Sequence, residues 1–233
     1  MLVTGIKSKP VYAPLQADAR GRYHLMLGMG VGAAPLLRVI AEMRTASAQS
    51  LESTRVLFVS AAGTLPNASS ASNAGVVSGA SSAPATDAAS EARAAAAVGQ
   101  FVTAEVGDVQ VFPSTPALLE RFRAILGESL MGTRLYVAGP ESFIGLVMKI
   151  ALEFNLNKDE IRAEECGTLA RRVYCIHCRA TTENVRTNIV RCVECDTWLL
   201  VRDHYSRRLA AYMGVMVDAE APGELPPLKE VFL

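Results

Sequence analysis

The sequence predicts an α/β fold, in which a parallel sheet between two helical layers is followed by a small β module. Two observations support this prediction. Over residues 20–165, short apolar runs alternate with stretches of helical periodicity, which is typical of parallel strands joined by right-handed crossover helices. Beyond residue 165 the apolar runs shorten, arginine is frequent and cysteines cluster. We therefore expect two domains, 1–165 and 166–233, the second ending in an extended tail from residue 220.

The first half of the α/β region follows the order strand, loop, helix, strand. Residues 23–27 form a short apolar run, which is ended by the glycine-rich segment 28–32. Pro35 suits the first turn of a helix, where its missing N–H costs nothing, and apolar residues follow it at helical spacing. The continuous apolar run at 55–59 is typical of a strand that is buried on both faces.

The alternation resumes after residue 100 with three strands and two helices. Each strand is again a short apolar run, and each helix has one apolar side. The predicted elements are a strand at 109–112, a helix capped by Ser114 or Thr115 and ending at Gly127, a strand at 133–138, a helix at 141–154, and a final short strand entered through 159–163.

A compositionally biased segment separates the two halves. Residues 61–100 hold 15 of the 35 alanines of the chain. The 50% hydrophobic content therefore overstates the number of large apolar side chains that can form a core. The serine-, alanine- and glycine-rich part at 62–84 has too little apolar surface to offset the entropy of ordering it, and we interpret it as a flexible loop insertion. Thr86 and Asp87 favour the start of a helix at about 86–98.

Charge and hydropathy exclude several classes of protein. The 23 basic and 23 acidic side chains cancel, which excludes binding to nucleic acid or anionic membrane through bulk charge alone. Apolar runs stay well below the length of about 18 residues that a membrane span needs, and the first ten residues lack the apolar centre of a signal peptide. We expect a cytoplasmic protein, whose five cysteines indicate metal binding or reactivity rather than disulfides.

A glycine loop lies between the first predicted strand and the first helix. Gly30 and Gly32 would let the backbone approach a pyrophosphate, and the helix that begins near Pro35 would offer free N–H groups to it. Pro35 stands where the Rossmann fingerprint has its third glycine, so that motif is not met. A plain strand-to-helix turn can use the same two glycines, and both interpretations stay open.

Four cysteines have the spacing of a metal site. Each C-x2-C pair can turn both sulfurs toward one ion, and the 13 residues between the pairs suit a β-hairpin. Zn²⁺ in a zinc-ribbon-like module fits four thiolates best; the alternatives are a rubredoxin-like iron site, a redox dithiol and unliganded cysteines. Against iron, Arg179 and Asp196 stand where rubredoxin-like sites have glycine. The predicted ligands are Cys175, Cys178, Cys192 and Cys195, with Cys166 as a buried free cysteine.

The cysteine-rich region is locally basic. Residues 166–208 hold eight arginines against four acidic residues. A basic zinc ribbon can bind nucleic acid, and Trp198 and Tyr205 could stack on bases. Alternatively, the arginines balance the charge of about −2 on a zinc–tetrathiolate centre, or they form a docking face for acidic partner subunits. We favour the last two explanations.

The segment 135–144 resembles the nucleotide-binding domain of the ferredoxin reductase family. There a G-x-G-x-x-P loop follows the first strand and a C-G-P loop follows a late strand near the nicotinamide. The resemblance covers about residues 20–165 and implies NAD(P) binding by Gly30, Gly32, Pro35, Gly139 and Pro140.

This chain also departs from the reductase pattern. Ala138 replaces the cysteine of the C-G-P loop, no arginine follows the strand at 55–59, and only about 20 residues precede the first strand, too few for a flavin domain. Two interpretations therefore stay open: the site binds a dinucleotide, or the chain keeps the reductase fold but no longer binds one.

Three C-terminal segments, 167–178, 201–208 and 212–215, look like those of DmmA-type subunits of multicomponent dimethylamine monooxygenases, and this resemblance spans the chain. It implies a complex that uses NADPH, flavin, an iron–sulfur centre and haem to oxidise dimethylamine to methylamine and formaldehyde. Haem, flavin, iron–sulfur and folate sites would then belong to partner chains. We expect a non-catalytic accessory or assembly subunit of a hetero-oligomer; the alternatives are an NAD(P)H-binding or electron-transfer component and a zinc-ribbon nucleic-acid binder.

Overall fold

A computed structural model describes residues 8–46, 49–59, 96 and 99–233. The first of its two sheets has the strand order β3-β2-β1-β4-β5, and every neighbouring pair is parallel. The predicted α/β fold with a parallel sheet is therefore confirmed. Its strands are β1 (Tyr23–Met29), β2 (Thr54–Val59), β3 (Asp108–Phe112), β4 (Thr133–Gly139) and β5 (Ile161–Glu165).

Helices follow the strands in the predicted order. Of the two candidate caps, Ser114 is the one used, since its side chain accepts the N–H of Ala117 at 3.5 Å. The described helices are α1 (Ala33–Ala46), α2 (Gln49–Glu52), α3 (Thr115–Gly127) and α4 (Glu141–Glu153), with 3-10 turns at Gly30–Gly32 and Lys158–Glu160. The proposed insertion at 62–84 and the helix at 86–98 lie outside the described residues, apart from residue 96; residues 99–103 are helical. Within the described ranges, no helix has the length and apolarity needed to cross a membrane.

Both faces of the parallel sheet are covered. On one face α3 and α4 pack against β1, β4 and β5 through side chains such as Phe122 and Phe143. On the other face α1 packs through Leu36, and Phe101 meets Phe58 of β2 edge to face at 5.7 Å. This two-sided burial explains why β1, β2 and β4 appear in the sequence as unbroken apolar runs.

The segment 8–18, which we call the strap, crosses the edge of the sheet at β5. Its Leu15 is almost fully buried in the cluster around α1, and the Leu15 N–H donates to a carboxylate oxygen of Glu164 at 2.6 Å. Two residues later the Ala17 N–H donates to Glu42 of α1 at 2.9 Å. The strap thus occupies the place on this face where a helix would otherwise cover β4 and β5.

Asp18 fixes the end of the strap to the sheet. Its buried carboxylate lies 2.8 Å from the guanidinium of Arg20 and 3.3 Å from those of Arg134 and Arg162. Its backbone N–H donates to the hydroxyl of Tyr136 at 3.0 Å. Hydrogen bonding from Arg20, the largest effect, holds the pKa of the carboxyl well below its usual range.

The second sheet has the order β7-β6-β10-β9-β8, and its strands are antiparallel except for the pair β6 and β10. The tail begins in turns at residues 219–223 and then returns to this sheet, since the N–H of Val231 donates to the carbonyl of Arg186 at 2.9 Å. The change of sheet falls between Glu165 and Arg171; the division of the chain into domains at residue 165 stays a prediction. The strands are β6 (Arg171–Cys175), β7 (Thr181–Val185), β8 (Ile189–Arg191), β9 (Trp198–Ser206) and β10 (Ala211–Met216).

Replacing Asp18→Asn should lower the free energy of unfolding at pH 7 by about 1–3 kcal/mol, because the neutral amide loses charged hydrogen bonds. A carboxyl whose folded pKa is depressed stabilises the fold above its unfolded pKa, near 3.8, and this contribution is lost as the pH falls toward the folded value. The difference between wild type and variant in urea unfolding should therefore shrink at acid pH.

The control is Glu120→Gln, which neutralises an exposed carboxylate of α3 that has no hydrogen bond or ion pair to any described residue. Equal effects of the two substitutions at pH 7 would contradict the role given to Asp18.

Candidate functional site

The four cysteines with metal-site spacing come together at one end of the second sheet. Their four Sγ atoms lie within 4.8 Å of one another. The Sγ atoms of Cys175 and Cys195 are 3.8 Å apart, and those of Cys178 and Cys192 are 3.4 Å apart. Four sulfurs around one Zn²⁺ at bonds of about 2.3 Å form a tetrahedron with edges of about 3.8 Å. The cluster thus has the size and the donor set for one tetrahedral ion.

The two C-x2-C segments form equivalent turns. The N–H of Arg179 donates to the carbonyl of Cys175 at 2.9 Å, and the N–H of Asp196 donates to that of Cys192 at 3.1 Å. Arg179 and Asp196 have φ angles of 71° and 55°, the left-handed conformation that glycine adopts most readily. These residues already supply the turn that a rubredoxin-like site obtains from glycine. The missing glycines therefore do not separate zinc from iron.

Local hydrogen bonds affect the protonation of the thiols. The Sγ of Cys195 lies 3.3 Å from the side-chain oxygen of Thr197, and this interaction is the main cause of a lowered pKa at Cys195. Burial raises the pKa of Cys175 and Cys192. Metals bind thiolates, so an ion at this cluster must displace the protons of the two buried thiols, and its binding should weaken at acid pH.

Several arginines of this region have partners inside it. Arg171 lies 2.7 Å from Asp203, and Arg172 lies 2.8 Å from Glu183. Arg191 pairs with Asp196 and stacks over the ring of Trp198, 4.8 Å from its centroid. Their charge is therefore compensated within the module, which weakens the hypothesis of a nucleic-acid surface.

The residues predicted to hold a dinucleotide meet in one crevice. Gly30 and Gly32 follow β1, whereas Gly139 and Pro140 follow β4, and these neighbouring strands are parallel. The strand order reverses between them, since β2 and β3 lie on one side and β5 on the other. Such a switch point is where open α/β sheets bind ligands. Pro35 lies in the first turn of α1 and is buried.

Glycine is favoured at positions 30 and 32 for two different structural reasons. Gly30 has a φ angle of +55°, and a Cβ there would meet no atom of the described residues within 4 Å. A Cβ at Gly32 would lie 2.2 Å from the carbonyl oxygen of Ala138, so this glycine lets α1 approach the end of β4. One glycine therefore serves packing, and the other leaves open space beside the crevice.

The connection between the two sheets lies across this crevice. The N–H of Cys166 donates to the carbonyl of Gly139 at 2.9 Å, and a Cβ on Gly167 would lie 3.3 Å from Cγ2 of Val31. The Cys166 side chain is half-buried beside the cluster around α1, and burial raises its pKa to about 11. The chain itself thus fills part of the space above the glycine loop.

A buried contact beside the crevice was not predicted from the sequence. Both carboxylate oxygens of Glu141 and the hydroxyl of Tyr205 are buried and have no hydrogen-bond partner among the described residues. Burial raises the pKa of Glu141 to about 7. A Cβ at Gly145 would lie 2.2 Å from the Tyr205 hydroxyl, so β9 contacts the backbone of α4 there. A glycine inside a helical pattern is the one sequence signal for such a close approach.

Comparison with known proteins gives two family matches and one curated relative. The family model for the N-terminal domain of "dimethylamine monooxygenase subunit DmmA-like" matches residues 4–101 and 84–161, and the model for the C-terminal domain matches residues 172–215. The relative is the heme-dependent oxidative N-demethylase delta subunit of Ectopseudomonas mendocina (strain ymp). It is 32% identical over 128 residues, which cover 52% of this chain and 73% of the relative.

Solved structures of reductases are more distant. Amycolatopsis cytochrome P450 reductase GcoB is 18% identical with a TM-score of 0.34, and the match covers 64% of this chain but 38% of that one. Phthalate dioxygenase reductase is 12% identical with a TM-score of 0.42, covering 85% of this chain and 66% of that one.

The purified protein should hold one metal ion per chain, which Cys178→Ser should remove and Cys166→Ser should retain, because Cys166 lies outside the four-sulfur cluster. Elemental analysis together with a visible spectrum gives the metal: colourless protein with zinc, or red protein with iron. Metal retained equally by both variants, or absent from wild type purified with added zinc, would contradict the assignment.

Gly32→Ala should lower the free energy of unfolding by about 3 kcal/mol, because the added methyl meets the backbone oxygen of Ala138. Gly30→Ala, its neighbour in open space, should cost about 1 kcal/mol through its positive φ alone. Urea unfolding of both variants measures the difference. A larger loss of stability in Gly30→Ala than in Gly32→Ala would contradict the packing described for this loop.

Proposed function

Because the chain belongs to the DmmA-like family of dimethylamine monooxygenase subunits, we propose that it is an accessory or assembly subunit of a multicomponent dimethylamine monooxygenase. The complex would carry out the NADPH-dependent oxidative N-demethylation of dimethylamine. Its haem, flavin and iron–sulfur centres and its folate-binding site would lie in partner chains. The relative from Ectopseudomonas mendocina, named as the delta subunit of a heme-dependent oxidative N-demethylase, supports a subunit role.

The observation that carries a non-catalytic role is the segment that follows β5. A Cβ on Gly167 would lie 3.3 Å from Cγ2 of Val31, so this segment passes beside the glycine loop and takes up part of the space there. A dinucleotide bound in the way of a reductase would have to share or displace this segment. A scaffold that keeps the reductase fold with a partly filled crevice is suited to assembly rather than to hydride transfer.

The metal module, residues 166–233, is the part that we propose docks the partners. Its core is small and includes the ligand cysteines beside Val173 and Leu199. Bound zinc would therefore supply much of its stability and give it a fixed shape. The two cysteine turns expose apolar side chains at matching positions, Ile176 at 50% and Val193 at 38%. Assembly in the reducing cytoplasm would keep the four thiols available for the ion.

One observation favours a second function, an NAD(P)H-binding component of the same oxygenase. No described residue lies within 4 Å of a Cβ placed on Gly30, and the glycine loop lies at the switch point of the sheet. Titration of the chain with NADPH and NADH, followed by nicotinamide fluorescence, separates the two functions. Micromolar binding would favour the second function, whereas absence of binding supports the assembly role.

A tagged chain expressed with the haem, flavin/iron–sulfur and folate-binding subunits should co-purify with them. Ile176→Glu combined with Val193→Glu should remove this co-purification, because charge at both turns opposes an apolar interface, while metal content stays at the wild-type level. Met131→Glu, at an apolar residue that is 96% exposed and distant in sequence from the module, is the control and should still co-purify.

Omitting the chain altogether should lower the yield of assembled oxygenase. An oxygenase that assembles and turns over dimethylamine equally well without the chain would contradict the assembly role.

A further inference from the structure

A cavity of about 460 Å³ lies between the strap, α4, β5 and β9, and none of its lining residues belongs to the cysteine cluster or to the glycine loop. Its wall includes the apolar side chains of Met148, Leu152 and Ile161. The volume is within the range of about 300–1,000 Å³ that is usual for small-molecule sites. The cavity is therefore large enough for a ligand with one or two rings.

One phenol that lines the cavity has hydrogen-bonding capacity left. The half-buried Tyr12 makes no hydrogen bond within the part of the chain that the structure describes. Burial raises the pKa of Tyr12, so it remains a protonated donor at neutral pH, and a ligand oxygen would give it an acceptor. The hydroxyl of Tyr205 is instead buried beside Glu141 and Gly145 of α4 and does not face a ligand in the cavity.

All charged residues that line the cavity are basic. Lys158, Arg162 and Arg207 line the cavity, whereas none of its described lining residues is acidic. Lys158 and Arg207 are exposed and form no ion pair with any described residue. Arg162 shares Asp18 with two other arginines, so one carboxylate is divided among three guanidinium groups. The cavity is therefore apolar inside, with an excess of positive charge around it.

We propose that this cavity binds a small amphipathic anion, a compact ring system carrying one carboxylate or phosphate. The rings pack against Met148, Leu152 and Ile161, the phenol of Tyr12 donates to a polar atom of the ligand, and the anionic group lies among Lys158, Arg162 and Arg207. This site does not depend on the proposed place of the chain in an oxygenase, because all of its groups belong to this chain.

The test uses the full chain and two matched anions, 1-naphthoate and 1-naphthyl phosphate, with the neutral alcohol 1-naphthalenemethanol as a control. Calorimetric titration should give one saturable site per chain for at least one anion and binding of the alcohol at least about tenfold weaker, a ratio equivalent to about 1.4 kcal/mol. The stronger anion then distinguishes a carboxylate from a phosphate ligand.

Variants locate the site. Lys158→Ala combined with Arg207→Ala should weaken anion binding about tenfold. Ala13→Trp, at an exposed lining residue of the strap, should block the cavity. The control Lys149→Ala removes an exposed cation of α4 that does not line the cavity, and it should bind as wild type does.

Three results would overturn the proposal: no saturable binding of either anion, equal binding of anion and alcohol, or wild-type binding by the Lys158/Arg207 double variant. The anion-to-alcohol comparison needs only wild-type protein, so a variant that fails to fold does not prevent the decision. Binding here combined with failed co-purification would refute the assembly role alone.

Discussion

The hydroxyl of Tyr205 lies so close to α4 that a Cβ at position 145 would be 2.2 Å from it, and this approach joins the second sheet to the α/β part of the molecule. It brings β9 against the helix that follows Pro140, and so holds the second sheet beside the crevice. The same strand anchors the start of the strap, since the N–H of Tyr205 donates to the Ser8 hydroxyl at 2.8 Å. The crevice, the cavity and the strap therefore share one contact between β9 and α4.

The same contact has an electrostatic cost. It buries Glu141, whose carboxylate oxygens have no hydrogen-bond donor among the described residues. Burial raises the folded pKa of Glu141 above its unfolded value of about 4.5, to about 7. A carboxyl with a raised folded pKa favours the folded state at low pH and loses that contribution as the pH rises through this window. The interface between α4 and β9 is therefore tightest when Glu141 carries its proton.

The sequence was informative where structure is decided locally. The strands β1, β2 and β4 are buried on both faces, so their apolar runs identified them, and Ser114 carried the signature of a helix cap. Each C-x2-C turn is also local, and its spacing predicted the observed cluster of four sulfurs. The left-handed conformation of Arg179, by contrast, could not be predicted from its residue type, whereas aspartate, as at Asp196, is more often found in that conformation.

The contacts that could not be predicted join distant segments. The parallel pairing of β6 with β10 follows two antiparallel hairpins, and no periodicity within either strand indicates it. The strap has no periodic pattern, and the hydrogen bonds from the backbone N–H groups of Leu15 and Asp18 go to Glu164 and Tyr136, more than 100 residues away. For these features the only sequence signal was Gly145, whose meaning required knowledge of its neighbour Tyr205.

The attachment of the strap to β9 has a consequence for the order of folding. Ser8 and its partner Tyr205 are separated by 197 residues, so the strap must wait until nearly the whole chain has left the ribosome before it can be fixed at this end. During that time the strap is held only at its other end, by the hydrogen bonds of Leu15, Ala17 and Asp18 to residues that precede β9. Closure of the cysteine turns around a metal ion would help β9 to form, and so would link metal supply in the cell to the completion of the strap.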